Sequence, residues 1–450
     1  MTLRAQSLQL TNFRCFREAT LELHPRLTVI VADNGMGKTA LLDGLATSMS
    51  EFVDLLLQAP NSPGLLPSDV RTAVDTNQPT RLSLLAEIDG EPVQWSLTRK
   101  SAKSPMRRGA QQLKDVRAAA AKMGQRVGDS DATLPVFTFY QSTRFAHSTY
   151  FGQKFTATKK PPDGHLSGYA DYLTPLSEAA RFNEWYASRW RAVSKRSSPG
   201  VGTGQDPLAQ LSSVRTAVAN VLEPTGWSVI DWDDERGCVV VEHAARGRLP
   251  LSWLSSGIRS MVALAADLGH RCASLNPHLR EDAGAKTPGV VLIDEVDLHL
   301  HPAWQQRVVE LLQTAFSQIQ FVLSTHSPQV LSTVHRDSVR VVHHNHSDSR
   351  IGQPPFQTRG VESADILAKV MSVDPVPAVP ESKWLSDYRV LVQSNSHRSG
   401  DGRSLWNRLT THFGAEHPVL EEIAVLQRLQ EFKVEHGLST DTMGGADAHA

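Results

Sequence analysis

Cysteine is scarce in this 450-residue chain: three residues, Cys15, Cys238 and Cys272, none of them part of a CxxC pair. An odd, widely spaced set excludes a disulfide framework and a zinc knuckle, and it fits a reducing compartment. Long apolar runs are also missing. No stretch approaches the roughly 18 residues of a membrane span, and the opening MTLRAQSLQLTNFRCFR has no signal-peptide core. The expectation is a soluble, cytoplasmic protein with no membrane contact. Nor is there a charge imbalance: 46 Lys+Arg stand against 47 Asp+Glu, a net charge of −1, so any affinity for nucleic acid has to be local. The 29 glycines and 25 prolines are too few for a low-complexity or collagen-like chain. Internal repeats, homopolymers and sustained heptads are absent, which leaves no room for a solenoid or a long coiled-coil arm. What remains is a globular chain, 40% hydrophobic, too long for one core and expected to form two or three structural units.

Hydrophobic periodicity sketches the organisation. Leu3–Leu10 and Ala19–Leu23 alternate as strands, and LTVIV at Leu27–Val31 is an unbroken apolar run, as in a strand buried on both faces. A helix is predicted from about Lys38 to Leu57. Arg81–Asp89 and Val93–Arg99 form a hairpin across Asp89-Gly90. A strand at Leu134–Tyr140 precedes a helical insert with Gly/Pro/Ser breaks near 197–207. Strands return at Trp227–Trp232 and Cys238–His243. A helix follows at Ile258–Leu275, a strand at Val290–Asp294, a helix at Ala303–Phe316 and a strand at Gln320–Ser324. Val339–His343 reads as the last strand, with helices at Val361–Met371 and His417–His436 and a disordered GGADAHA tail. The order predicts an α/β fold with a mixed sheet. Its expected divisions are 1–145, 146–225 (the helical insert), 226–345 and 346–450 (a helical extension).

The strongest chemical signal is LTVIV-ADNGMGKT-ALLDGLA. A buried strand ends, the backbone turns tightly, and a helix begins at Lys38-Thr39. The N–H groups of Asn34, Gly35, Met36, Gly37, Lys38, Thr39 and Ala40 then form a nest for polyphosphate, reinforced by the helix N-terminus. Lys38 supplies a point charge to the β- and γ-phosphates and Thr39 a hydroxyl to Mg2+. Ala32 stands where this G-x-x-x-x-G-K-[ST] pattern has its first glycine, which is tolerable if that residue keeps a negative φ.

Three further strings fit the same chemistry. GVVLIDE (Gly289–Glu295) is an apolar strand ending in two carboxylates. Strand alternation would send Asp294 towards Mg2+ and Glu295 towards the γ-phosphate as general base. Leu254-Ser255-Ser256-Gly257 is a polar turn opening a long helix. Phe321–Thr325 is an apolar strand ending at His326, whose imidazole could bond the γ-phosphate or the attacking water.

Together these pieces resemble the ordered motif set of ABC-type ATPases. LQLTNFRCF with LELHPRLTVIVADNGMGKTALLDGLA is similar to the RecF/SMC branch. WLSSGIRSMVALAADLGHR, PGVVLIDEVDLHLHPAWQ and IQFVLSTHSPQVL resemble the ATPases of bacterial Septu and retron anti-phage systems, a group also labelled predicted ATP-binding proteins involved in virulence. The resemblance implies a P-loop NTPase, an ABC-ATPase head using ATP and Mg2+. Lys38 and Thr39 are then Walker A, Asp294 and Glu295 Walker B, and His326 the switch histidine. Ser255 and Gly257 form the signature turn that contacts ATP bound to a second subunit, which implies a homodimer of ATP-sandwiched heads. Gln141, after the Leu134–Tyr140 strand, is a candidate Q-loop ligand of Mg2+. Asn12 and Arg14 stand where related heads approach the base or ribose. A separate HNH-type nuclease subunit is the implied partner, and slow turnover is expected.

Other features are weighed against plainer readings. His299 and His301 could suggest a metal pair, but the segment runs into a helix at Pro302, so loop packing is the expectation. His301 also occupies a position where many transporters have Asp. Residues 99–126 carry nine Lys/Arg against one acid, Asp115. The run is expected as a solvated loop or as a contact to DNA or RNA phosphates. The aromatics Phe182, Trp185, Tyr186 and Trp190 are expected to be core or interface rather than a base-stacking platform. Downstream acids such as Asp337, Asp348, Glu362 and Asp365 are scattered, so no nuclease domain is expected. A DNA-maintenance ATPase and a catalytically degenerate scaffold remain open alternatives.

Overall fold

The computed structural model describes residues 1–59, 62–71, 78–107, 111–129, 131–142, 164–173, 179–194, 207–345 and 348–436. Of the expected breaks near 197–207, residues 197–206 lie outside them, as does the GGADAHA tail. Met1–Ser372 forms one compact unit, and a second begins at Val373.

The first unit opens with β1 (Leu3–Phe13), β2 (Phe16–Glu22), β3 (Leu27–Val31) and α1 (Lys38–Leu56). It continues with β4 (Thr80–Ile88), β5 (Glu91–Arg99), β6 (Met106–Arg107), α2 (Lys114–Gln125) and β7 (Val136–Tyr140). The insert supplies α3 (Ala179–Ser194) and α4 (Pro207–Leu222), followed by β8 (Trp227–Asp233), β9 (Cys238–His243) and β10 (Gly247–Pro250). Then come α5 (Ser256–Leu275), α6 (Ala283–Lys286), β11 (Gly289–Ile293), α7 (Pro302–Gln305), α8 (Val308–Ala315) and β12 (Ile319–Ser324). The unit closes with α9 (Pro328–Leu331), β13 (Val339–Asn345), β14 (Asp348–Gly352) and α10 (Ser363–Lys369).

The unbroken apolar runs become the interior of a six-stranded sheet ordered β14-β13-β3-β12-β11-β7. Every pairing in it is parallel except β13 with β14. Every residue of β3, β7, β11 and β12 is buried, which is what a parallel sheet covered on both faces requires. The alternating strands instead build a separate antiparallel sheet, β2-β1-β4-β5-β6. α1 is buried nearly all round, its polar residues Asp43, Ser48, Glu51 and Asp54 included, because it contacts strands of both sheets and α2. Buried Trp95 of β5 fixes this stack by donating from Nε1 to the Ser48 carbonyl of α1 at 2.8 Å.

Several expectations need correction. Val339–His343 is not the last strand: β14 folds back on β13 as a hairpin. The helix predicted over Ala303–Phe316 breaks into α7 and α8, because Arg307 donates to Trp304 in a tight turn and its φ of −119° leaves the helical range. Residues 99–126 are not a featureless loop. Most are drawn into β5, β6 and α2, since Val116, Ala120 and Met123 give the segment a buried face. The aromatics of α3 pack internally, with Phe182 against both Trp185 and Tyr186.

The second unit comprises α11 (Pro380–Gln393), α12 (Gly400–Phe413) and α13 (Pro418–Glu435) around Tyr388, Val392, Leu409, Leu420 and Ile423. No helix among the described residues is long and apolar enough to cross a membrane.

A candidate nucleotide site at the ends of the parallel strands

Because β3, β12, β11 and β7 run parallel, their C-terminal ends meet at one edge, where open α/β sheets bind ligands. β3 leads there into the glycine turn. Gly35 and Gly37 take φ of 77° and 91°, a region that glycine enters without strain, while Ala32 keeps a negative φ as its replacement of glycine demanded. Gly37 also has no room for a side chain: a Cβ would lie 2.6 Å from Cys15 Sγ and from the Phe16 ring. The β1–β2 turn therefore braces the loop from behind. Gly37 is the N-cap of α1 and offers no side-chain cap, so the first N–H groups of a 19-residue helix face the loop.

Lys38 is 6% exposed, and its ammonium donates to the carbonyls of Ala32 at 2.8 Å and Asp33 at 3.1 Å. Burial lowers its pKa, opposed by the nearby carboxylates of Asp294, Glu295, Asp33 and Asp297. Thr39 is exposed, and its hydroxyl donates to Asp294 Oδ2 at 2.9 Å. Asp294 is 1% exposed and directly follows β11. A hydroxyl and a carboxylate oxygen in contact beside a lysine and a helix N-terminus suit a hard, oxygen-liganded cation carrying a polyphosphate. The residues present fit Mg2+ with a nucleoside triphosphate.

Glu295 reaches the site by a different route from the expected one. β11 ends at Ile293, and Glu295 turns the chain with a φ of 49°, so strand alternation does not orient it. Its N–H donates to Ser324 Oγ at 2.8 Å, and the same hydroxyl donates to Asp294 Oδ1. Ser324 therefore aligns both acids. Asp297 accepts from the Thr325 hydroxyl and, at 3.4 Å, from the His326 N–H, which places the partly exposed His326 at the end of β12. Gln141 directly follows β7.

The signature turn lies at the start of α5. Ser255 is exposed and is the N-cap, but its hydroxyl makes no cap bond. Gly257 packs on the loop after Glu295, and a Cβ there would stand 2.7 Å from the His299 carbonyl oxygen. His301 Nδ1 accepts from the Ala303 N–H and starts α7, in keeping with loop packing.

Asn12 and Arg14 need correction. Asn12 is 1% exposed and donates to the Gln78 carbonyl at 3.1 Å, so its side chain faces inward rather than towards a base or ribose. Arg14 pairs with Asp43 of α1 and, at 2.9 Å, with Asp69. Burial works against its charge, but the two carboxylates outweigh it and hold the guanidinium above its ordinary pKa. Burial also pushes Asp43 up to about 6, against the pull of Arg14, so the pair is charged at neutral pH.

Ser324, Asp297 and Tyr140 escape a reading of the sequence. Ser324 had the best signal, as the serine two places before His326. Tyr140, whose carbonyl accepts the Asp294 N–H at 2.8 Å, had none beyond ending a strand.

Residues 27–332 match the family described as "AAA domain, putative AbiEii toxin, Type IV TA system". Among curated proteins, the retron Ec83 probable ATPase of Escherichia coli is 36% identical over 173 residues, 38% of this chain and 30% of that protein. The Septu protein PtuA of Bacillus thuringiensis is 27% identical over 142 residues, 30% of this chain and 35% of that protein. The chain thus matches about a third of the length of these relatives. Among solved structures, the SMC head domain from Thermotoga maritima is similar over 78% of this chain and 100% of that one, at 15% identity and a TM-score of 0.41. With a glycine turn after β3, an acid after β11 and the family match spanning both, this chain belongs to that AAA family, in the ABC-type P-loop group shared with the retron probable ATPases and the Septu protein PtuA.

Proposed function

We propose that this chain binds Mg–ATP and hydrolyses it slowly, as the sensor or regulatory subunit of a bacterial anti-phage complex that controls a separate nuclease. The hydrogen bond from Thr39 to Asp294 carries the reading, because it joins the phosphate turn to the carboxylate strand at a single point. Lys38 and the N–H groups of Asn34–Ala40 take the phosphates. Thr39 and Asp294 hold the metal, with Gln141 beside them. When bound, Mg2+ neutralises charge on the β- and γ-phosphate oxygens. Glu295 accepts the proton of the attacking water, and His326 hydrogen-bonds the γ-phosphate. Ser255, exposed at the start of α5, and the neighbouring buried Gly257 form the turn that serves a second copy's nucleotide, so ATP closes a homodimer. The likeness to the retron probable ATPase and the Septu protein supports the defence setting. We further infer a cytoplasmic location and an HNH-type nuclease as the partner.

Phosphate release by the purified chain tests this. It should require Mg2+ and vanish in Lys38→Ala, whereas Glu295→Gln should keep ATP and remain dimeric. Unchanged hydrolysis in Glu295→Gln removes Glu295 as the base.

A second reading, a DNA-binding maintenance ATPase, is favoured by α2, which turns Lys114, Arg117 and Lys122 to solvent while its other face is buried. Duplex binding that weakens steeply with salt would support it, and a flat salt response would count against it.

A further inference from the structure

We propose that Tyr140 is a positioning residue that ties the signature helix α5 to Asp294, so that a shift of one displaces the other. The proposal rests on the ATPase reading above and deepens it. Tyr140 ends β7 and is 3% exposed. Its carbonyl accepts the Asp294 N–H at 2.8 Å, extending the β7–β11 ladder one step past the Ile293–Tyr140 pair. Its phenol donates to Asp267 Oδ2 at 2.7 Å. Asp267 lies on α5, about three turns beyond the signature serine. One residue therefore touches the metal carboxylate's peptide and the signature helix together.

The link is closed on its far side. Arg271, one turn along α5, donates from Nε to the same Asp267 oxygen at 2.7 Å. Its Nη1 reaches the carbonyls of Gly168 at 3.1 Å and Ala170 at 2.7 Å. Gly168 can approach this closely because it lacks a side chain: a Cβ would lie 2.8 Å from the Arg271 carbonyl oxygen. The Tyr172 carbonyl then accepts from the Phe139 N–H at 2.9 Å and the Thr138 hydroxyl at 3.0 Å, which returns the chain of bonds to β7.

Packing alone does not call for these groups. Asp267 and Arg271 are both buried, and Asp267 Oδ1 has no hydrogen-bond partner among the described residues. Apolar side chains would attach α5 to the sheet without desolvating two charges. A directional network holds one register, whereas an apolar contact tolerates sliding. A displacement of α5 is therefore passed through the Tyr140 ring to its own peptide, and from there to Asp294 and the adjoining Gln141.

The test uses the full chain. Tyr140→Phe keeps the ring, the carbonyl and the Arg271–Asp267 pair, and removes only the hydroxyl. Binding of a fluorescent ATP analogue with Mg2+ should stay within about twofold of wild type while kcat falls about tenfold, the range of a coupling residue. In a double-mutant cycle, Tyr140→Phe with Ser255→Ala should be no slower than the worse single variant. A purely structural role would lower the melting temperature and leave both results unmoved. Unchanged kcat, or losses that multiply in the double variant, overturns the proposal. Should Tyr140→Phe not fold, Arg271→Lys keeps the charge on Asp267 but loses the fork to Gly168 and Ala170. The same fall in kcat is expected there, and an unchanged kcat again overturns the proposal. A wild-type chain that binds no Mg–ATP defeats the ATPase reading and the proposal together. A hydrolysing wild type beside an equally fast Tyr140→Phe defeats the proposal alone.

Discussion

Thr39 Oγ1 lies 2.9 Å from Asp294 Oδ2, although the two residues are 255 apart in the chain. Asp294 is buried beside Ser324, with Lys38, itself below its usual pKa, close by. A carboxylate placed there is costly for stability unless a cation uses it. Asp294→Asn should therefore fold with an unchanged or higher melting temperature in buffer, and should lose at least about 100-fold in ATP hydrolysis. Thermal shift separates the two effects. Saturating Mg–ATP at 100-fold over Kd should raise wild-type stability by about 2.7 kcal/mol and leave Asp294→Asn nearly unmoved. Equal stabilisation of both proteins would remove Asp294 from the metal site.

Gly257 offers a more local prediction. A methyl group there meets the His299 carbonyl oxygen at 2.7 Å, and backbone cannot rotate aside as a side chain can. Gly257→Ala should cost about 1–3 kcal/mol by overpacking. It should also push the start of α5 away from the loop that follows Glu295. Nucleotide binding through Lys38 and Thr39 should survive while phosphate release falls. A variant with normal turnover would mean that the contact between α5 and the His299 loop is only packing.

Arg14 separates a structural role from a ligand contact. Its guanidinium faces two nearly buried carboxylates, Asp43 and Asp69. Arg14→Ala leaves both uncompensated, and breaking buried pairs of this kind costs about 3–5 kcal/mol. Urea melts should show a loss of that order, with Arg14→Lys between the two. ATP affinity measured where both proteins are folded should change little. A large loss of affinity with intact stability would restore Arg14 as a nucleotide contact.

Arg14 also marks where the sequence stops being readable. The glycine turn is legible because its chemistry is local: Gly35, Gly37 and Lys38 are neighbours, and the flanking strand and helix follow from LTVIV and ALLDGLA. Asp294 is legible as a kind of residue at a strand end. Its partnership with Thr39 depends on β12 lying between β3 and β11, which no local pattern records. Asn12 and Arg14 were misjudged because both take a φ of 50°, and such turns re-aim side chains in a way that periodicity does not capture. Strand alternation was expected to aim Glu295, but β11 ends at Ile293 and a left-handed φ, not the pleat, turns the chain there. The basic run 99–126 looked like a loop because its charges outnumber the three apolar contacts that hold α2 down.

The last prediction concerns acid. His270 sits on α5 against Trp185, with ring centroids 4.4 Å apart, and Ser274 Oγ lies 3.3 Å from its Nδ1. Burial, with Arg271 and Arg189 nearby, lowers its pKa from 6.5 to about 3. The imidazole therefore stays neutral in the folded chain at a pH where the unfolded chain protonates it. Between pH 6.5 and about 3 the unfolded state holds more protons, so stability rises with pH across this window. It is undiminished above about pH 6.5 and is lost as the pH falls, by about 1–2 kcal/mol at pH 5 with allowance for partial exposure. His270→Phe keeps a ring against Trp185 and cannot titrate, and Ser274 retains its bond from Gln210 at 3.1 Å. Urea melts at pH 7 and pH 5 should show the wild type losing more stability than the variant by that amount. Parallel losses in the two proteins would show that His270 is already protonated in the folded state, and the acid sensitivity of the α3–α5 contact would then have to come from another group.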